Sequence, residues 1–189
     1  IPAGNEYSYL ETPVTKVLVA PYDAKQIYMA QISNLDKKYD PAIEPIRALY
    51  DEYFGGGMNS IVFQEMRETR GLAYSAWASI MPPSYLKYPY VLRTQIATQN
   101  DKMIDAVTTF NDIINNMPES EAAFKLAKDG LTNRLRTERI IKGDIIWSYI
   151  NAQDLGQNVD PRIKLYNDIQ NMSLKDIVDF QKQWVKGRT

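Results

Sequence analysis

The 189-residue chain contains neither cysteine nor histidine. Without cysteine there is no disulfide framework and no thiolate chemistry, and the redox compartment stays open. Without histidine the chain lacks the usual neutral-pH base and the commonest zinc ligand. Carboxylates alone could still hold magnesium or calcium, but no D-x-[DN]-x-[DN]-G loop is present. If this chain takes part in zinc or triad chemistry, it does so beside another polypeptide. Long apolar runs are missing too, since no stretch approaches the roughly 18 residues of a membrane-spanning helix. The opening IPAGNEYSYL has no basic stretch followed by an apolar one, so no secretory leader is visible, although a mature or excised form would read the same. A net charge of -1 gives the chain nothing that draws it to nucleic acid or to an anionic membrane. Neither a linker nor an internal repeat interrupts it.

What remains is an ordinary globular composition, 44% apolar and 24% charged, in a chain long enough for one substantial core. VTKVLVA (14–20) and QIYMAQIS (26–33) read as two strands that pair antiparallel across PYDAK. DKKYDPAIEP (36–45) is a polar connection, and its Pro45, with Glu44 near the cap, suits the first turn of a helix carrying Ile46, Leu49, Tyr50, Tyr53 and Phe54. The glycines Gly55 to Gly57 stop that helix. A second begins near Met58 to Ser60, with Ile61, Val62 and Met66 inward, and Gly71 ends it. LAYSAWASI (72–80) and YVLRTQIAT (90–98) are strands, joined by the extended, exposed loop MPPSYLKYP. A helix then carries Met103, Ile104, Val107, Phe110, Ile113 and Ile114, with Asn100 as its expected cap. Helices follow over 118–139, DIIWSYINAQDLG, DPRIKLYNDIQ and SLKDIVDFQKQWV, the last with Ser173 and Asp176 in capping-box positions. The fold class is α+β: an antiparallel β-sheet covered by helices on one side, with a mostly helical second half.

The stretch YFGGGMNSIVFQEMRETRGLAYSAWAS (53–79) concentrates the unusual features. Three consecutive glycines invite a phosphate-loop reading, but no lysine followed by serine or threonine follows them, and G-x-G-x-x-G fails at Asn59 and Ser60. The glycines instead end one helix in a left-handed cap and let the next begin at close approach. Beyond them, Arg67 and Arg70 lie three apart on the second helix, and Tyr74 stands past Gly71 at the start of a strand. Read blandly, these are a surface arginine satisfied by carboxylates and a half-buried tyrosine. Read functionally, Arg67 and Tyr74 converge across the glycine turn as two donors for a carbonyl or a developing oxyanion.

The run FGGGMNSIVFQEMRETRGLAYS resembles the signature of the M16 (pitrilysin-like, mitochondrial processing peptidase-like) metallopeptidase family. The positions that match are Phe54, Gly55 to Gly57, Met58, Ser60, Phe63, Arg67, Gly71, Leu72 and Tyr74. The resemblance implies a LuxS/MPP-like metallohydrolase-type domain, one of a pair. The family's zinc sits on an inverted H-x-x-E-H helix, and the corresponding helix here, EPIRALYDEYF, has no histidine to accompany Glu44 and Glu52. The chain therefore resembles the non-catalytic, C-terminal type of domain. Residues 1–189 are expected to form one such domain, a fragment of a longer chain whose final strand is missing.

In that family the arginine and tyrosine at these spacings project toward the zinc site of the companion domain. Carried over, the implied catalytic contributors are Arg67 and Tyr74, with no cofactor-binding or metal-binding residue in this chain. Zn2+ is expected in the companion domain, a peptide or unfolded protein as substrate, and neither nucleic acid nor membrane insertion as a partner. Bacterial periplasm and cytoplasm both remain open. Two other readings stay beside the peptidase: a non-enzymatic structural or assembly subunit of the same fold, and a separate chain that partners a catalytic subunit.

Overall fold

A computed structural model describes residues 14–188. The opening stretch read above for a leader lies outside them. Strand β1 (Gln26–Lys38) is followed by α1 (Glu44–Phe54), a short α2 (Ile61–Phe63) that continues as a π-helix (Gln64–Thr69), β2 (Ser75–Met81) and β3 (Pro89–Gln99). A 3-10 turn (Asn100–Lys102) leads into α3 (Met103–Asn115), α4 (Glu121–Thr137), α5 (Lys142–Asp154), α6 (Pro161–Ile169) and α7 (Leu174–Trp184).

The sheet has the order β1-β3-β2, with both pairs antiparallel. Its alternation decides which face is covered. Ala76, Ala78 and Ile80 of β2 and Tyr90, Leu92 and Ile96 of β3 are buried. Tyr28 and Ile32 of β1 are exposed on the opposite face, where the Arg93 guanidinium lies 5.6 Å from the Trp77 ring centre. The covered face meets Leu49, Tyr50, Tyr53 and Phe54 of α1, Phe110 and Ile114 of α3, and Ile177, Phe180 and Trp184 of α7. Aromatic rings run through this core: Tyr50 packs on Phe54 and Phe180, Phe180 on Trp184, and Trp184 edge-on to Tyr90, with centroids 5.1–5.3 Å apart. Each such pair adds about 1 kcal/mol beyond the area that it buries. The hydroxyls find partners too, as Tyr50 bonds Gln181, and Tyr53 donates to the Pro118 carbonyl at 2.9 Å.

A polar network fixes α1 against β2. Arg47 donates to Glu44, to Asp51 at 2.8 Å and to the Ile80 carbonyl at 3.0 Å. Asp51 in turn accepts from the Ser79 hydroxyl and the Ile80 N–H. Burial pushes the Asp51 carboxyl up to about 6, against the pull of the Arg47 guanidinium and of these two donors. That guanidinium is shared with Glu44, so Asp51 receives only part of its charge.

The structure departs from the sequence-based expectations at several points. Residues 14–20 form no strand, and the expected pair with 26–33 is absent: Val17 and Leu18 are 82% and 92% exposed. Strand propensity reports fit to a pleated, half-buried surface, and here β1 takes its partner from β3, from Gln26↔Gln99 to Asn34↔Val91. Residues 36–38, read as connection, extend β1 beyond a register shift, with Asp36 at φ 55°. Asn100 does not cap α3, because the 3-10 turn moves the helix start to Met103, and Ile104 points outward at 79% exposure. The capping-box reading at Ser173 and Asp176 holds, and Ser120, which the sequence reading did not single out, accepts from the Ala123 N–H.

The three glycines also work differently from a left-handed cap. Gly55 has φ −141°, and a Cβ there would lie 2.3 Å from the Ala78 carbonyl oxygen. Its role is to let the end of α1 touch the backbone of β2. The left-handed glycine of this stretch is Gly71, at φ +56°.

Candidate functional site

Three chain segments meet at one end of the sheet. The pairing of Gln26 with Gln99 sets the start of β1 beside the end of β3. The Tyr74 N–H donates to the Ala97 carbonyl at 2.8 Å, which draws the approach to β2 alongside. Immediately after β3, the 3-10 turn brings in Lys102.

The segment between Arg67 and Tyr74 is tied down at the Gly71 and Leu72 carbonyls and at two N–H groups. The Leu72 and Ala73 N–H groups both donate to the Met66 carbonyl, at 2.8 and 3.2 Å. The Thr98 hydroxyl, nearly fully buried, donates to the Leu72 carbonyl at 2.5 Å. The Lys102 ammonium donates to the Gly71 carbonyl at 3.0 Å. Gly71 supplies the positive φ that lets the chain reverse here. Upstream, Ser60 starts the helix by donating to the Gly57 carbonyl at 2.6 Å while accepting from the Phe63 N–H. The helix then widens into π geometry from Gln64 to Thr69, the stretch that carries Arg67. Such wide turns are uncommon and recur at functional sites.

The result is a defined place for one side chain. The guanidinium carbon of Arg67 lies 5.1 Å from the centre of the Phe63 ring and 5.6 Å from that of Tyr74. Each cation–π contact is worth about 0.5–1 kcal/mol at an exposed site. The ion pair from Nε to Glu68 is 3.6 Å long and open to water, so it holds the arginine only weakly. Arg67 remains 45% exposed and Tyr74 69% exposed. Both line a cleft of about 300 Å³ together with Gln26, Gln99, Lys102 and Gly71. Arginine offers five fixed N–H donors that keep their charge, and the tyrosine hydroxyl adds another. Arg70, the neighbouring basic residue, instead pairs with Glu65 at 3.3 Å.

The described residues of this chain do not fit a zinc ion. There is no histidine or cysteine, and among the described residues no three carboxylates gather closely enough to hold a metal. The two glutamates of the EPIRALYDEYF helix are occupied: Glu44 by Arg47 and the Tyr90 hydroxyl, and Glu52 by Arg134 at 2.9 Å. No helix among the described residues is long and apolar enough to cross a membrane.

Lys102, Thr98 and the two glutamines escaped the sequence reading. Each sits at a strand end, and strand pairing rather than any local motif unites them. Knowing that β1 pairs with β3 would have placed Gln26 beside Gln99, and Lys102 three residues beyond.

Comparison with known proteins bears on these observations. The family model described as the peptidase M16 inactive domain matches residues 14–131. No curated protein sequence matches the chain. Among solved structures, the peptidase M16 inactive domain from Pseudomonas fluorescens is 16% identical with a TM-score of 0.67, covering 85% of this chain and 39% of its own. A conserved protein from Enterococcus faecalis is 18% identical at TM-score 0.66, with 86% and 37% covered. A protease from Helicobacter pylori is 12% identical at TM-score 0.68, with 87% and 39% covered. This chain thus spans about two fifths of each of those structures, and at these identities they establish the shared fold. The family model covers well over half of the chain, and the chain belongs to the peptidase M16 inactive-domain family.

Proposed function

We propose that this chain is the metal-free, substrate-holding half of an M16-type metalloendopeptidase, and that it supplies Arg67 and Tyr74 to the active site of a companion domain bearing H-x-x-E-H. The observation that carries this reading is the placement of Arg67: an arginine held between the Phe63 and Tyr74 rings, yet open to a cleft. A guanidinium whose ion pair with Glu68 is long and solvated is available to a ligand. Within this reading, Arg67 and Tyr74 donate hydrogen bonds to a carbonyl of an extended peptide and neutralise negative charge as it builds on that oxygen. The metal and the base that activates water are assigned to the companion, because this chain has no histidine or cysteine and no metal-holding carboxylate cluster among the described residues.

The contribution of one such donor is about 3 kcal/mol, or about a hundredfold in rate. The test is to replace Arg67 by alanine and, separately, Tyr74 by phenylalanine in the protein assembled with its companion half. Turnover should fall by about a hundredfold in each, with the melting temperature nearly unchanged. If both variants keep turnover within about twofold of the parent, the scaffold or assembly reading replaces this one.

A further inference from the structure

The cleft beside Arg67 carries two cations. Lys102 lines it beside the turn, and its ammonium spends one of three N–H donors on the Gly71 carbonyl at 3.0 Å. The other polar side chains of the lining are Gln26, Tyr74, Thr98 and Gln99, and no carboxylate is among them. Of the acidic residues beside Arg67 on its helix, Glu68 reaches Nε of Arg67 at 3.6 Å, and Glu65 pairs with Arg70. Asp101, next to Lys102 in sequence, is exposed and outside the lining. In a chain of net charge -1, two positive side chains around one cleft of about 300 Å³ are a local feature and not a reflection of overall charge.

We propose that this cleft is a carboxylate subsite, in which Lys102 together with Arg67 takes an anionic group of the bound peptide. This rests on the reading that the cleft holds peptide, and goes beyond it by naming the substrate class: peptides with a carboxylate close to the bond that is held. Lys102 is placed for this by its bond to the Gly71 carbonyl, which keeps the ammonium at the mouth of the turn instead of free in solvent. Two of its donors remain for a ligand, and the neighbouring glutamine amides and Tyr74 hydroxyl can complete the shell of a carboxylate. The carboxylate could belong to an acidic side chain or to a free C-terminus, which share this chemistry.

The experiment uses calorimetric binding of matched, unlabelled, unstructured peptides that differ at one central position, Glu or Gln, each made with a free or an amidated C-terminus. The wild-type protein should bind the carboxylate-bearing peptide about tenfold more tightly than the neutral one. The arm that shows the difference, side chain or C-terminus, identifies the source. K102Q should abolish the preference, and K102R should keep it. Equal affinity of the wild-type protein for all the peptides overturns this inference alone, as does a preference that survives K102Q. Absence of binding by every peptide overturns both this inference and the peptide-holding reading beneath it.

Discussion

The guanidinium carbon of Arg67 lies 5.6 Å from the centre of the Tyr74 ring, although a helix end and a glycine turn separate the two residues in sequence. The contact exists because the intervening carbonyls are held from outside, by Thr98 on Leu72 and by Lys102 on Gly71. Arginine and tyrosine thus form one surface feature with a rigid base.

The rigidity of that base is testable at Thr98. Replacing it with valine keeps the shape but removes the only donor that the side chain gives to the Leu72 carbonyl. Losing the hydrogen bond to this part-buried carbonyl costs about 1 kcal/mol. Thr98→Val should lower unfolding stability by that amount and raise hydrogen exchange at Leu72, Ala73 and Tyr74 above that of the other strand ends. Unchanged exchange at these amides would show that the turn holds without it.

The glycine run should respond unevenly to substitution. A Cβ at Gly55 would meet Ala78 backbone atoms at 2.3 and 2.5 Å, whereas at Gly57 the nearest atom is a Glu52 carboxylate oxygen at 3.9 Å. Forcing a methyl against backbone costs about 1–3 kcal/mol or more. Gly55→Ala should therefore be strongly destabilising in urea denaturation and Gly57→Ala nearly neutral. Equal effects would refute the close-approach explanation.

Asp51 gives the protein a pH signature. Its carboxyl is raised to about 6 by burial, so between the usual carboxylate range and that value the native state binds a proton that the unfolded chain has released. Stability from this group is fully present below about pH 4 and is lost as pH rises through about 6, by up to about 3 kcal/mol. Denaturation curves across this interval should show that slope in the parent, and Asp51→Asn should flatten it. A parent whose stability rises steadily from pH 4 to 6 with no difference in the variant contradicts the assignment.

Much of this was legible in the sequence, for local reasons. The helix start at Ser173 and the turn at Gly71 follow from local chemistry within a few residues. Arg67 and Tyr74 were legible because one glycine turn joins them. What escaped depends on distant partners. The segment 14–20 has the composition of a strand, but composition names no partner, and β1 pairs with β3 instead. The π-helix over 64–69 left no mark in the apolar spacing, since Val62 and Met66 are four apart as in an ordinary helix. No local motif marks Lys102, and only the 3-10 turn after β3 aims it at Gly71.

The most direct test of the central claim, that Arg67 and Tyr74 act as one donor pair on a bound carbonyl, is a double-mutant cycle in turnover. Arg67→Ala, Tyr74→Phe and the double variant are compared with the parent in the protein assembled with its companion half, alongside their melting temperatures. Groups that act on one atom as a unit are strongly non-additive, so the double variant should lose little more than the worse single variant, about a hundredfold, with melting unchanged. Losses that multiply independently, or turnover that neither substitution touches, would contradict the account.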